Sequence, residues 1–496
     1  MKQFLFTAAL CLFSILGWAK QKPNVVIIYA DDLGIGDVSA YGQQTLKTPG
    51  MDRIANEGIR FNCGYATSAT CTPSRYSLLT GSYPWRNKKA QVLPGDAPLL
   101  ISTDQPTLPK MLRTAGYTTG IVGKWHLGLG TGKVDWNKRV SPGPNEVGFD
   151  YAYIMAATND RTPTVFVKNG YVDGLEESDP LYVSYRKNFD NLPTGKNNPE
   201  MLKMNYSMGH NNSIQNGISR IGYQKGGKAA MWIDENMADT FLVQAQRFVK
   251  THKEKPFFLY YALHQPHVPR VPHQRFAGKT GLGPRGDAIA EADWCVREFL
   301  KTLEEENLLE NTIVIFSSDN GPILDDGYYD DAVEKLGAHK PAGKYRGNKY
   351  SLFDAGTHVP FMVMWKGKIK PKQSDALVCQ IDLLSSLAKM VGGEIPKTDS
   401  EDVLAALLGK SKKGRKQLIT EGLHHRTAIR KDKWLLIPSY KGPKKPSWVD
   451  AETGFDINVQ LFDLEKDPMQ KNNLTKKYPK KVDQLLKQHQ AIKGDQ

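Results

Sequence analysis

The sequence is short of cysteine. Five among 496 residues exclude a disulfide-knit scaffold, so a buried apolar core must carry stability. Long uncharged apolar runs are also missing beyond the first residues. A mean hydropathy of −0.47 with a 40% hydrophobic fraction excludes a multi-span membrane protein and suits a globular one. No repeat period or low-complexity tract occurs, which excludes a solenoid. The chain carries a formal charge of +14, yet no aromatic–basic interleaving or nucleic-acid motif accompanies it, and no nucleic-acid partner is expected. The excess gathers late, in Lys410-Ser411-Lys412-Lys413-Gly414-Arg415-Lys416 and in Lys476-Lys477-Tyr478-Pro479-Lys480-Lys481, runs that read as solvated surface.

The first residues read as a leader. Met1-Lys2 is a positive start, Phe4 to Leu16 is apolar but too short to span a bilayer, and Gly17-Trp18-Ala19 offers small residues for cleavage. The expected mature chain begins near Lys20 with no transmembrane segment, and is exported by a bacterium to the periplasm or outside. Cys11 leaves with the leader. Cys63, Cys71, Cys295 and Cys379 remain.

Apolar strand-like runs alternate with amphipathic helical ones over the first three-quarters, the pattern of an α/β sheet. Strands are predicted at 24–30, 118–122, 257–262, 312–316 and 359–365, and helices at 107–115, 234–250 and 288–309. From about 370 the texture shifts to a helix at 381–391, shorter strands such as 434–437, and lysine-rich turns. The boundary is set at 375, with a smaller α+β region after it.

Several strand-like runs lead straight into reactive side chains: Asp31-Asp32, Gly123-Lys124-Trp125-His126, His264-Gln265-Pro266-His267 and Asp319-Asn320-Gly321. In open α/β sheets, ligands bind outside the carboxyl ends of the strands. Asp31, Asp32, Asp319 and Asn320 offer only oxygen donors, which suit calcium or magnesium better than zinc. Each pair alone reads as turn chemistry, but adjacent carboxylates repel and a cation relieves them. Arg75, Lys124, His126, His267 and Lys349 add positive charge and proton-transfer capacity, a clamp for a tetrahedral anion.

Cys71-Thr72-Pro73-Ser74-Arg75 runs into Tyr76-Ser77-Leu78-Leu79-Thr80-Gly81, which reads as the first turns of a helix. The plain reading of Cys71 is a structural or redox-active thiol. With PNVVIIYADDLGIGD at 23–37, TPGMDRIANEG at 48–58, CTPSRYSLLTG at 71–81, GKWHLG at 123–128, PFFLYYALHQPHVP at 256–269, the block ending at Gly321, KYSLFDAGTHVPFMV at 349–363 and LFDLEKDPMQKNNL at 461–474, the chain closely resembles the formylglycine-dependent sulfatases of the alkaline-phosphatase-like superfamily.

The resemblance implies an α/β fold with a large mixed sheet flanked by helices and a smaller C-terminal α+β subdomain. The expected division is leader 1–19, catalytic domain 20–375 and subdomain 376–496. It implies that a maturation enzyme oxidises Cys71 to formylglycine, whose hydrate takes up the sulfuryl group and then expels sulfate. Asp31, Asp32, Asp319 and Asn320, with an oxygen of residue 71, would bind calcium, with magnesium as the alternative. Arg75 would hold that assembly in place. Lys124 and Lys349 would grip sulfate oxygens, Lys349 being chosen over Lys344 by its spacing to Pro360. His126 would take the proton of the second hydroxyl and His267 would protonate the leaving oxygen. One departure stands out: Asp354-Ala355-Gly356-Thr357-His358 replaces a common Glu-Gly-Gly-x-Arg, leaving a substrate or packing contact open.

Asp160-Arg161 and His210 lie in the least generic segment, 150–235. An adjacent carboxylate and guanidinium read a sugar hydroxyl as both donor and acceptor, or form a structural ion pair. They look like the residues with which bacterial carbohydrate sulfatases recognise the axial O4 of galactose or N-acetylgalactosamine while removing 6-O-sulfate. Two competing readings are a phosphoester or phosphonate hydrolase on the same fold and a catalytically silent glycan-binding protein.

Overall fold

Asn24–Ala30 is apolar from Val25 onward, and such a run is stable only with both faces covered. In the computed structural model, which describes residues 22–494, it forms β1, wholly buried near the centre of a ten-stranded mixed sheet. The expected leader at 1–19 lies outside the described residues. The other strands of this sheet are β2 (Ile59–Phe61), β3 (Thr118–Lys124), β4 (Tyr151–Met155), β5 (Phe166–Lys168), β6 (Tyr171–Val172), β7 (Phe257–Ala262), β8 (Thr312–Ser318), β9 (Phe361–Met364) and β10 (Lys372–Ser374). Their order is β10-β2-β9-β8-β1-β7-β3-β4-β5-β6. The inner strands β8, β1, β7, β3 and β4 are mutually parallel, and β9 and β5 run antiparallel to their inner neighbours.

Alternation along β1 divides the core. Val25, Ile27 and Tyr29 face one apolar cluster, with helices Leu108–Thr114 and Leu383–Val391. Val26, Ile28 and Ala30 face the other, with Pro49–Asn56, Met237–His252 and Gly283–Glu305. Parallel register then does the functional work. Ala30 pairs with Ser318, Tyr29 with Ala262, and Ala262 with Gly123, so the residues that follow these strands emerge on one rim.

The apolar strands at 24–30, 257–262 and 434–437 keep their predicted limits. Two others run further, to Lys124 and Ser318, because ladder pairing continues past the apolar residues. The helix near Tyr76 begins earlier, at Cys71, and Gly81 closes it at φ 64°, the left-handed conformation that glycine adopts at a helix end.

Beyond the sheet's last strand, Gln417–Glu421, Thr427–Lys431, Trp434–Ile437 and Gln460–Asp463 form a four-stranded antiparallel sheet, followed by the helix Pro479–Lys493. Its Leu418, Ile429 and Leu436 share one apolar cluster with Tyr65, Tyr83, Trp85 and Ile381. Among the described residues, no helix is long and apolar enough to cross a membrane.

Leu259 lies in β7 with no exposed surface. Leu259→Ala is expected to lower unfolding free energy by about 2–5 kcal/mol, read as a lower denaturant midpoint with unchanged slope.

Candidate active site

Three carboxylates meet at the rim with almost no exposed surface. Asp31 and Asp32 follow β1, Asp319 follows β8, and each offers an oxygen within 4.8 Å of the others. The turn is tight: Asp32 sits at φ 61°. Its backbone N–H donates to Asp319 Oδ1 at 3.2 Å, and the Asp319 N–H returns to Ala30 O at 3.1 Å.

Buried negative charge on this scale needs an answer. Arg75, inside the helix that opens at Cys71, donates from Nε and Nη2 to Asp319 Oδ2 at 3.0 and 2.8 Å. Its Nη1 donates to Tyr260 Oη at 3.2 Å, and its guanidinium lies 5.3 Å from the Tyr29 ring centre. Lys124, the last residue of β3, donates to Asp31 Oδ2 at 2.5 Å. Lys349 bridges Asp32 Oδ2 and Asp326 Oδ2 at 2.9 and 2.8 Å. Burial raises the Asp31 and Asp32 carboxyls above their ordinary range, and for Asp31 the nearby Asp319 adds to this. Burial opposes ionisation of Asp319 too, but Arg75, Lys124 and Lys349 outweigh it and hold that carboxyl low. The clamped acid thus stays ionised while its neighbours share the strain.

Asp31 Oδ1 and Asn320 Oδ1 are buried and accept no hydrogen bond. Orphaned buried oxygens are costly, and here they sit in an all-oxygen set with Asp32 and Asp319. The set fits a hard divalent cation.

Cys71 is 1% exposed. Burial pushes its thiol up to about 12 despite the pull of Lys124 and Lys349. It lines a pocket of about 200 Å³ with His126, Asp160, Arg161, His210, His267 and Lys349, so the structure gathers these sequence-predicted residues around one space. Arg75, Asp31, Asp32, Asp319 and Asn320 lie beneath it as its charged support.

The two site histidines are held differently. His126, at φ 54°, donates from Nε2 to Leu93 O at 2.9 Å, which leaves Nδ1 buried without a partner. His267 donates from Nδ1 to Val268 O at 2.6 Å, and its Nε2 lies 3.9 Å from Asp32 Oδ2. Burial first, then nearby cations, hold both rings well below the ordinary imidazole range.

Asp160 forms one wall. It accepts from Thr158 Oγ1, from Arg161 Nη1 at 2.7 and 2.9 Å, and pairs with His210 Nε2 at 2.9 Å. Burial opposes its ionisation, but Arg161 and His210 hold the carboxyl well below its usual range. Gly327 comes close here. At φ 118° a Cβ would meet His210 at 2.0 Å, so both backbone and ring require glycine.

Sequence reasoning missed Asp326, Tyr350 and Trp448. Tyr350 donates to Asp326 at 3.0 Å, and Trp448 meets Tyr350 edge-on at 4.8 Å between ring centres. The only signal for Asp326 was its Asp-Asp-Gly step, ordinary turn chemistry, and Trp448 lies in a lysine-rich stretch without periodicity. In the departing segment Asp354 accepts from His358 Nδ1 and Tyr65 Oη at 2.8 Å each, and neither Asp354 nor His358 lines the Cys71 pocket.

A sequence model described as Sulfatase matches residues 23–393. An N-acetylgalactosamine-6-O-sulfatase of Bacteroides thetaiotaomicron is 48% identical over 481 residues, 96% of this chain and 94% of that protein. Human arylsulfatase A is 31% identical, covering 80% of this chain and 70% of that one. Among solved structures, one concerned with the metabolism of multiple glycosaminoglycans by B. thetaiotaomicron superposes with TM-score 0.94 at 48% identity, covering 95% of this chain and 99% of that one.

Removing divalent ions from the purified protein by thorough chelation is expected to lower its thermal unfolding midpoint. Calcium or magnesium at about a hundred times its dissociation constant should restore about 2.7 kcal/mol. A midpoint indifferent to both treatments would count against a cation among these oxygens.

Proposed function

This chain belongs to the sulfatase family and hydrolyses carbohydrate sulfate esters, and from that premise we propose that its substrate is the 6-O-sulfate of galactose or N-acetylgalactosamine. The observation that carries this is the Asp160–Arg161–His210 wall beside Cys71. An axial sugar O4 both donates and accepts. Asp160 can accept from it and the Arg161 guanidinium can donate to it. A gluco-configured sugar points O4 elsewhere and forgoes these charge-assisted hydrogen bonds. The 48% identical N-acetylgalactosamine-6-O-sulfatase supports the same choice.

Cys71 is the proposed site of oxidation to formylglycine by a maturation enzyme, since a buried neutral thiol is a poor nucleophile. Hydrated formylglycine supplies two hydroxyls on one carbon, so that sulfate can be taken up and released without water attacking sulfur. Asp31, Asp32, Asp319 and Asn320 are the proposed calcium ligands, with magnesium as the alternative. A cation there supplies acidity to a bound hydroxyl and neutralises developing charge.

The remaining roles belong to the chain itself. Arg75 keeps Asp319 ionised and turned toward its neighbours. Lys124 and Lys349, already desolvated, are placed to hold non-bridging sulfate oxygens. Asp326 positions Lys349. His126 offers an unpaired Nδ1 to take a proton, and His267 is assigned to protonate the leaving sugar oxygen. The anionic ester arriving beside His267 favours the imidazolium that this needs. The same reading takes residues 1–19 as an export leader and assigns the enzyme to the periplasm or the exterior. It assigns catalysis to 20–375 and a smaller subdomain to 376–496.

Cys71→Ala is expected to abolish turnover while the thermal midpoint stays near wild type; retained activity would refute the nucleophile. Asp160→Ala is expected to slow 6-O-sulfated N-acetylgalactosamine by roughly tenfold or more relative to an aryl sulfate. Equal losses on a panel varied in sugar and sulfate position would remove the specificity claim.

A further inference from the structure

A larger cavity lies elsewhere. An open groove of about 1500 Å³ is walled by residues of the ten-stranded sheet's edge, including Arg60 and Asp375, and by the C-terminal sheet and its approach, including Arg430 and Lys416. It shares no lining residue with the Cys71 pocket. Nine lysines and arginines surround it against four carboxylates; two of the nine are already paired outside the lining, Arg415 with Asp382 and Glu401 and Lys433 with Asp463. That imbalance reaches the lysine run 410–416, whose Lys412, Lys413 and Lys416 are exposed. Among the described residues, none of these three is held in an ion pair.

One wall residue is unusual. Arg430 is 7% exposed, and its buried Nε and Nη1 have no hydrogen-bond partner. Its guanidinium meets Cys63 Sγ at 3.3 Å, Asp354 Oδ1 at 3.8 Å and the Tyr65 ring at 4.6 Å, with Glu465 acting at longer range. Asp354 is itself committed to His358 and Tyr65. A buried cation so thinly compensated is costly unless an anion approaches. Tyr41, Tyr345 and Trp434, each partly exposed, also line the groove. The surface is concave, which a planar membrane cannot follow.

We propose that this groove is a docking surface for a sulfated glycosaminoglycan chain, holding the polymer apart from the pocket that receives its terminal sugar. The proposal rests on the reading of the substrate as a glycan sulfate. Clustered cations in excess around a cleft focus potential on polyanions and raise their local concentration, and the attraction weakens with salt.

The test compares wild type with the triple variant Lys412→Glu, Lys413→Glu, Lys416→Glu. Binding of polymeric chondroitin 6-sulfate is measured at low and high salt, together with turnover of 6-O-sulfated N-acetylgalactosamine and the thermal midpoint. Polymer binding is expected to weaken by about tenfold or more, since three attractions are lost and charge reversal adds repulsion. Monosaccharide turnover and midpoint should be unchanged. Polymer binding within twofold of wild type would overturn the proposal. So would equally tight, lysine-dependent capture of phosphatidylserine vesicles or single-stranded DNA. Lysine-dependent polymer binding by a protein that turns over no such monosaccharide would sustain the groove and sink the substrate assignment instead.

Discussion

Three carboxylates and three cations without solvent are the constraint around which this protein is arranged. Each ion alone costs several kcal/mol to bury. Asp31, Asp32 and Asp319 are tolerable because Arg75, Lys124 and Lys349 reach them at hydrogen-bond distance. Those six residues come from the ends of three strands, one helix and one loop. Their meeting depends on the parallel register that aligns Ala30 with Ser318 and, through Ala262, Tyr29 with Gly123. The apolar sheet is therefore the support that lets a concentrated charge cluster exist. The orphaned oxygens of Asp31 and Asn320 show that the protein's own cations do not complete the balance.

Cys71 shows two effects competing and a clear winner. A helix N-terminus favours a nearby anion by about 0.3–1 kcal/mol. Burial raises the thiol from 9.0 to about 12, which is roughly 4 kcal/mol against the thiolate. Burial therefore opposes the thiolate by more than the helix terminus favours it. What the position does offer is a side chain at a fixed point, on the first turn of a fully buried helix, above a charged floor and at the base of a pocket. Chemistry that replaces the sulfur suits such a place; chemistry that ionises it does not.

The same physics explains what could be read in advance. Strands such as 24–30 and 257–262 are legible because continuous apolar runs have one stable use in this kind of sheet. The candidate site residues were legible where they lie at or just beyond strand ends, as Asp31, Lys124, His267 and Asp319 do. Asp160, Arg161 and His210 were found through resemblance, since nothing in their spacing brings residues 160 and 210 together. Asp326, Tyr350 and Trp448 were missed, Asp326 because its Asp-Asp-Gly step reads as a turn and the others because loops carry no periodicity and their partners are distant in sequence. The lysine run at 410–416 was seen, but not its setting. A solvated surface and the wall of a groove look alike until the opposite wall is known.

That division separates the reaction from its selectivity. The charge cluster sits at strand ends and is fixed by ladder register, so small changes there would disturb the sheet. The pocket's walls come instead from loops around short strands, from Gly327 pressed against His210, and from Trp448 in the C-terminal region. These segments can change without moving Asp31 or Arg75. A family sharing one charged floor can therefore meet differently shaped sugars by rebuilding only its walls. The C-terminal sheet takes part in this, because it supplies both an aromatic edge to the pocket and one bank of the basic groove.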